Sequence, residues 1–258
     1  MTTNPYSAPA AKVEDIAAPQ GKFIPGGRAV ASGQGWIWFT RGWDLFRLQP
    51  GLWVGMMLTL LVILLALAFI PLLGPLANAL LWPALEAGLL IGCGVLAGGG
   101  RLEFGHLFAG FRDRFGTLLG VGAISIGISM VIGIFIAFVM GVSMFTMFGG
   151  GPATVLGPQA MMAMALPGLV FLALLLPLFM AMWFAPPLVA FHERGAVEAM
   201  KESFSGCLKN VVPFFVYGLV GLVLSILASI PMGLGWLVLG PVMIGSVYAS
   251  YRDIYLES

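Results

Sequence analysis

Charged residues are scarce in this sequence. Only 9% of its 258 residues are charged, whereas soluble globular proteins carry about 25%. Twelve Lys and Arg side chains and eleven Asp and Glu side chains cannot cover the surface of a soluble 27.3 kDa protein. The net charge of +1 also argues against the basic surface that a nucleic-acid-binding protein needs. With 60% hydrophobic residues and a mean hydropathy of +1.01, the chain is predicted to be an integral membrane protein whose first partner is the lipid bilayer.

Residues that usually carry chemistry are equally few. Two cysteines and two histidines are present, and none lies at the spacing of a disulfide framework or a metal site. No nucleophile is paired with a base in a recognisable motif. The sequence therefore predicts no catalytic, cofactor-binding or metal-binding residues, calls for no cofactor and favours a non-enzymatic protein.

The N-terminal segment has neither a secretory signal nor helical periodicity. Residues 1–35 are rich in Ala, Pro, Gly and Ser and contain no apolar stretch followed by a cleavage site. Such a composition is typical of a disordered segment. We therefore predict a disordered cytoplasmic tail over 1–35 and a membrane domain over 36–256.

Three long stretches, 48–85, 115–192 and 210–251, contain no charged residue at all. A helix needs about 20 apolar residues to cross a bilayer, so each stretch accommodates two spans. Turn signals rich in Gly and Pro lie within each stretch and divide it. The sequence thus predicts an all-α bundle of six transmembrane helices arranged as three hairpins, with spans at about 52–70, 76–97, 117–141, 163–190, 212–230 and 235–251.

The middle stretch is longer than two spans require. A continuous helix from Phe115 to Phe148 would be about 50 Å long, against about 30 Å for the hydrocarbon core. Either span three is tilted and protrudes, or it ends near Gly141 and residues 142–165 form a separate apolar lid on the outer surface. We favour the lid, because a third span here would place the C-terminus outside, against the distribution of charge.

The basic residues all lie on one side of this arrangement. Every Lys and Arg occurs before span one, between spans two and three, between spans four and five, or after span six. The three intervening turns contain none. Because basic residues are retained on the cytoplasmic side, both termini are predicted to be cytoplasmic.

An amphipathic segment precedes each predicted hairpin. Apolar residues recur there at helical spacing, opposite charged residues. We expect three helices that lie on the cytoplasmic membrane surface, although packing of the same faces against the protein itself is an alternative. The residues expected to anchor these helices in the lipid interface are Trp36, Trp43, Phe46, Phe108, Phe111 and Phe204.

One carboxylate, Glu86, falls near the middle of predicted span two. Placing a charge at the bilayer centre costs about 2.5–3.5 kcal/mol on insertion scales, so this side chain must be protonated, paired or facing a cavity. It is a candidate proton- or cation-coupling site of a transporter. A protonated Glu that hydrogen-bonds to a neighbouring helix is the structural alternative.

Four motifs carry a resemblance to a known group of proteins. They are Gly35-Trp36-x-Trp38 followed by Gly42-Trp43-x-Leu45-Phe46, Pro83-Ala84-Leu85-x-Ala87-Gly88-Leu89, Leu107-Phe108-Ala109-Gly110-Phe111-Arg112 and Tyr248-Ala249-Ser250-Tyr251-Arg252-Asp253-Ile254-Tyr255. Over about residues 35–256 the chain resembles an uncharacterised family of bacterial six-span inner-membrane proteins, known as hypothetical transmembrane proteins. A fainter similarity of layout is to the membrane-anchor region of glycerophosphodiester phosphodiesterases, whose catalytic domain has no counterpart here. The resemblance implies a location in the bacterial inner membrane and brings no activity with it.

Two functions remain open from the sequence. The first is a non-enzymatic membrane protein that organises or accompanies other envelope components, with a protein partner in the membrane. It is favoured because three interfacial helices accompany a core with almost no polar groups. The second is a small-molecule or ion transporter, suggested by Glu86 and by prolines inside the even-numbered spans. The oligomeric state is not predicted.

Overall fold

The computed structural model describes residues 21–112, 114–148 and 158–257, and almost all regular structure in these ranges is helical. A 3-10 helix lies between α3 and α4, at Phe104–Phe111. Two short strands, β1 (Lys22–Phe23) and β2 (Leu256–Glu257), form an antiparallel pair. The α-helices are α1 (Gln34–Leu48), α2 (Pro50–Ala68), α3 (Leu73–Ala97), α4 (Phe115–Phe148), α5 (Pro158–Trp183), α6 (Ala185–His192), α7 (Ala196–Lys209), α8 (Val211–Ser229) and α9 (Trp236–Tyr255).

Five segments in the described ranges are long and apolar enough to cross a membrane: Pro50–Ala68, Leu73–Ala97, Phe115–Val142, Pro167–His192 and Val211–Ser229. They correspond to predicted spans one to five, so the all-helical membrane fold is confirmed at this level. Helix α9 occupies the position of predicted span six but is not among the five. Its C-terminal half contains Ser, Tyr, Arg and Asp, which lower its hydropathy.

Helix α4 runs without a break through Gly141 to Phe148, and α5 begins at Pro158. The predicted helix end near Gly141 is therefore wrong, and so is a separate lid for residues 142–148 and 158–165, which belong to α4 and α5. No proline or charged residue lies between Gly141 and Phe148, so nothing in the sequence there stops the helix. The remainder of the predicted lid, residues 149–157, lies outside the described residues.

Helices α4 and α5 bury little of their surface within the protein. Only 6% of the most apolar window of the third segment, and 11% of that of the fourth, is buried inside the structure. An apolar surface that is not covered by protein must be covered by lipid if it is to stay out of water. The exposure of these two helices therefore fits a bilayer environment.

Helix α1 crosses α9 at very close range. A Cβ placed on Gly42 would overlap the carbonyl of Val242, and one placed on Gly245 would lie 2.9 Å from the Gly42 Cα. Small residues permit such backbone contact between helices. One face of α1, including the buried Phe39 and Phe46, thereby belongs to the protein core. This face of the first amphipathic segment therefore packs against the protein itself, which was the alternative to contact with the membrane surface.

The small-residue face of α3 packs on the 3-10 helix rather than on another long helix. A Cβ on Gly88 would lie 2.5 Å from the carbonyl oxygen of His106, and a Cβ on Gly110 would overlap the carbonyl of Ala84. The amphipathic segment before span three is therefore a 3-10 helix instead of the predicted α-helix. Its start is fixed by the Glu103 backbone N–H, which donates to His106 Nδ1 over 2.8 Å.

Residues 21–33, which fall within the predicted disordered tail, lie against the C-terminal parts of α7 and α9. Strand β1 pairs with β2, and the Ile24 backbone N–H donates to the Tyr255 carbonyl over 2.8 Å. Gly27 has φ of +68°, and a Cβ there would come within 2.7 Å of Ile254 Cγ2. Glycine therefore allows this segment to approach α9, and the tail prediction differs from the structure here. Residues 1–20 lie outside the described residues.

Candidate functional site

A cavity of about 570 Å³ lies at the end of the bundle where the C-termini of α1, α3 and α9 meet. We call this region the charged end, because four arginines and three acidic residues line the cavity. Its apolar walls come from α1, α3, α9 and β2. The lining residues are Arg28, Arg41, Asp44, Leu45, Arg47, Leu48, Leu96, Ala97, Tyr248, Ala249, Arg252, Asp253, Leu256 and Glu257.

Asp253 on α9 fixes one side of the cavity. Its Oδ1 accepts a hydrogen bond from Arg41 Nη1 over 2.6 Å, and its Oδ2 accepts one from the indole Nε1 of Trp38 over 2.9 Å. Trp38 is fully buried, so its indole N–H has no access to water. The carboxylate thus joins α1 to α9 through one ionic and one neutral donor.

A second pair stabilises the α1 side of the cavity. Arg47 Nη2 lies 2.5 Å from Asp44 Oδ1, and both side chains are about 60% exposed. Their (i, i+3) spacing places them on one helix face. Such an exposed pair contributes little to stability, but it neutralises one arginine of the cavity.

The other two arginines of the cavity differ from Arg41 and Arg47. The Arg28 Nε–H donates to the Asp253 carbonyl oxygen over 2.8 Å. Within the described part of the chain, neither Arg28 nor Arg252 forms an ion pair with a carboxylate. Both side chains are exposed.

The segment that carries Arg28 is held by α7. Buried Asn210 accepts from the Val30 backbone N–H over 2.8 Å and donates to the Arg28 carbonyl oxygen over 2.8 Å. Lys209 Nζ donates to the carbonyl oxygens of Gly26 and Gly27 over 2.9 and 2.8 Å. These bonds fix the backbone beside the cavity and hold Arg28 at its edge.

A further ionic group lies at the start of α7, around Arg194. Arg194 pairs with Glu198 over 2.7 Å and approaches Glu202 within 3.5 Å, while its guanidinium carbon lies 5.0 Å from the centre of the Phe23 ring. Partial burial raises the pKa of Glu202, an effect that the Arg194 charge opposes. Tyr255 donates its hydroxyl to the Glu202 carbonyl oxygen over 2.8 Å, and burial raises its pKa.

Both cysteines are free and buried. Burial raises the pKa of Cys207 to about 12, so its thiol is protonated at neutral pH and a poor nucleophile. Within the described ranges, no group of three or more His, Cys, Asp and Glu side chains could hold a metal ion.

Glu86 lies in α3, apart from the arginine-lined cavity. It is half-buried, between the buried residues Leu85 and Ala87, and three residues after the proline inside α3. It is not among the residues that line the cavity. The predicted coupling role of Glu86 therefore stays a prediction, and the cavity does not connect to it.

The six predicted anchor residues occupy different environments. Trp36, Trp43 and Phe108 are exposed, whereas Phe111 and Phe204 are half-buried. Phe46 is only 7% exposed and packs in the core, so this position does not fit the predicted contact with lipid. Trp38, which the helical pattern did not select, is the fully buried tryptophan of α1.

The arginine-lined cavity was not predicted from the sequence. Its arginines contributed to the topology prediction, but residues 28, 41, 47 and 252 lie in segments whose proximity no local pattern reveals. The Tyr248–Tyr255 motif was the available signal, since it contains Arg252 and Asp253 and was the most specific part of the resemblance.

The chain is similar to proteins of unknown activity. The family described as a domain of unknown function, DUF7847, matches residues 38–251. A protein of Burkholderia thailandensis named as a probable inner membrane protein is 28% identical over an alignment of 251 positions that covers 88% of this chain and 92% of that protein. No solved structure matches. With apolar helices of membrane-spanning length and a family match over most of its sequence, the chain belongs to the uncharacterised DUF7847 family and is a multi-pass membrane protein.

Proposed function

We propose that this protein is a non-enzymatic, six-span protein of the bacterial inner membrane that organises or accompanies other envelope components through its charged end. The observation that carries the proposal is the set of hydrogen bonds and ion pairs that hold the charged side chains of that end. Arg41 on α1 pairs with Asp253 on α9, whose carboxylate also accepts from the buried Trp38 indole, and Glu198 on α7 pairs with Arg194. A surface with fixed charges favours specific contacts with a partner.

The proposed topology has both termini in the cytoplasm. The three hairpins are α2–α3, α4–α5 and α8–α9, preceded by α1, the 3-10 helix and α7 respectively. Helix α9 is then the sixth span, with its polar half at the cytoplasmic surface. The turns opposite the charged end, such as that around Leu72 and that around Met232, contain no basic residue, in agreement with the positive-inside rule.

Dense packing near the charged end favours a structural role over transport. Trp53 on α2, Phe184 beside α6 and Tyr251 on α9 are fully buried members of one apolar core. A transport route usually needs polar side chains or water along the membrane interior. The four fully buried Ser and Asn side chains of the described core, Ser203, Asn210, Ser246 and Ser250, all form hydrogen bonds with other protein groups.

Cysteine labelling tests the topology. Leu72 and Met232 are 89% and 97% exposed in their turns, and Lys201 is exposed on α7. Because both native thiols are buried, single variants Leu72→Cys, Met232→Cys and Lys201→Cys can be made in the otherwise unaltered chain. We expect a membrane-impermeant maleimide to label the first two in intact cells with a permeabilised outer membrane. Lys201→Cys should react only after lysis, and the reverse pattern would contradict the proposal.

Site-specific photo-crosslinking tests the partner role. A photo-reactive residue at exposed Lys201 at the charged end is compared with one at Ile226, which is exposed on the apolar surface of α8. We expect a discrete protein adduct from the first position and none from the second. Adducts of equal yield and size from both positions would contradict a role for the charged end.

A transporter with Glu86 as its coupling site is the second candidate. It is favoured by the half-buried carboxylate within an otherwise buried half of α3, and by the helix-interior prolines Pro83, Pro177 and Pro241. Proteoliposomes containing a pH-sensitive dye would report proton flux. Transport predicts a flux that Glu86→Gln abolishes, whereas the structural role predicts no flux from either protein.

A further inference from the structure

Arg28 and Arg252 lie in the same cavity, and its lining among the described residues carries four arginines against three acidic residues. Arg41 and Arg47 are each paired with a carboxylate, Asp253 and Asp44. Arg28 and Arg252 face the same space without such a partner in the described part of the chain, and Glu257 is the remaining acidic residue there. Two positive charges thus face one carboxylate, and because like charges repel each other an anion would stabilise this arrangement.

Guanidinium groups are suited to phosphate. Each presents several N–H donors in a rigid planar fork that matches two phosphate oxygens. The cavity volume of about 570 Å³ is in the range of small-molecule sites and exceeds what a single ion requires. Its walls combine the arginines with Leu45, Leu48 and Leu256, so it can accept a phosphate group joined to an apolar or uncharged moiety.

The cavity lies where the first membrane-spanning helix begins. Leu48 lines the cavity and is 59% exposed, and α2 starts two residues later at Pro50. Exposed Trp43 lies one turn earlier on α1, and tryptophan favours the level of lipid head groups. A phosphate in the cavity would therefore be at head-group depth, with the apolar surface of α2 leading away from it into the bilayer.

We propose that the cavity binds a phosphate ester through Arg28 and Arg252. The phosphate of an anionic phospholipid and that of a soluble phosphate ester share this chemistry, and the experiment below distinguishes them. The proposal does not depend on the partner role described above, since it requires only the cavity and its position. In this proposal Arg41 and Arg47 of α1, each paired with a carboxylate, form one wall of the binding site.

Native mass spectrometry of the full-length protein in detergent tests the proposal. The probes are phosphatidylglycerol, diacylglycerol with the same acyl chains, inorganic phosphate and glycerol 3-phosphate. We expect phosphatidylglycerol to bind the wild type at least about tenfold more tightly than it binds Arg28→Gln/Arg252→Gln, because two charge-assisted contacts are lost. Diacylglycerol, which has no phosphate, should not distinguish the two proteins.

Matched variants separate a site from general electrostatic attraction. Arg101→Gln/Arg112→Gln removes the same number of charges from exposed positions outside the cavity and should change the affinity less than twofold. Because Arg28 also bonds to the Asp253 carbonyl, Arg252→Gln alone serves as a variant that leaves this contact intact. It should weaken binding by about threefold or more.

The outcomes are distinct. Arginine-dependent binding of phosphatidylglycerol that inorganic phosphate and glycerol 3-phosphate fail to displace supports a lipid ligand. Arginine-dependent binding of glycerol 3-phosphate without a preference for the phospholipid supports a soluble phosphate ester. The proposal is overturned if all probes bind the wild type and the cavity variants equally, or if the exposed control variant loses as much affinity as the cavity variants.

Discussion

The double acceptor role of Asp253 gives the sharpest prediction about stability. Asp253→Ala removes the acceptor of the Trp38 indole, which is fully buried, and the ionic partner of Arg41. A buried donor left without an acceptor costs about 1–3 kcal/mol. The Arg41 pair is partly exposed, with 47% of the Arg41 side chain accessible, so it adds only about 0.2–1 kcal/mol. We expect the free energy of unfolding to fall by about 1–4 kcal/mol in total.

Asp253→Asn separates the two contributions. The amide oxygen can still accept from Trp38, whereas the charge is gone, so the expected loss is about 1 kcal/mol or less. The assay is titration of the purified protein with sodium dodecyl sulfate in mixed micelles, followed by the reactivity of the two buried thiols. Those thiols become accessible only when the packing around Cys93 and Cys207 is lost.

A double-mutant cycle with Trp38→Phe measures the indole bond itself. Trp38→Phe removes the donor, so Asp253→Ala should cost about 1 kcal/mol less in that background than in the wild type. Additive effects of the two substitutions would show that the bond contributes nothing. A loss below about 0.5 kcal/mol for Asp253→Ala would refute the reasoning, because it falls within the range of ordinary surface substitutions.

Three further predictions concern neighbouring parts of the fold. Gly42→Ala should destabilise the protein by about 1–3 kcal/mol, because the added methyl group would overlap α9. Gly55→Ala on α2, where no atom of another element lies within 4 Å, should be neutral or slightly stabilising. Both are measured by the same titration, and equal effects would contradict the close crossing of α1 and α9. Asn210→Ala removes three hydrogen bonds and should expose the backbone at Arg28 to trypsin; a cleavage rate equal to that of the wild type would contradict the bonds. The pKa of Glu202 is raised, so the folded state holds this proton more tightly than the unfolded state, and its contribution to stability falls as pH rises from about 4.5 towards the raised value. The stability of wild type minus that of Glu202→Gln should decrease across that pH range, and a flat or rising difference would contradict the shift.

The long helices could be predicted because one simple property defines them. A stretch without charges that is long enough to cross a bilayer predicts a span, and the predicted bounds of spans one and five lie within two residues of α2 and α8. The end of α4 was mispredicted for the same reason. Between Gly141 and Phe148 the apolar composition continues, and composition alone does not locate the end of a helix.

Features that depend on contacts between distant segments could not be predicted. Asn210 bonds to a backbone group 180 residues away, and Arg41 pairs with a carboxylate 212 residues away. Residues 21–33 have the composition of a disordered segment, yet their backbone groups find partners on α7 and α9. The cavity has the same origin, because its arginines come from both ends of the chain.

The arginines of the charged end are held more firmly than they would need to be if they served only to keep this end in the cytoplasm. Basic residues retain a loop in the cytoplasm through their charge alone, and flexible loops serve equally well. Here Arg41 is held by a carboxylate that also bonds a buried indole, and the backbone beside Arg28 is fixed by a buried amide. Burying Asn210 and the Trp38 indole imposes desolvation costs that only well-formed hydrogen bonds offset. Because retention alone would not need this geometry, we infer that the positions of the arginines matter, as recognition of a ligand or partner would require.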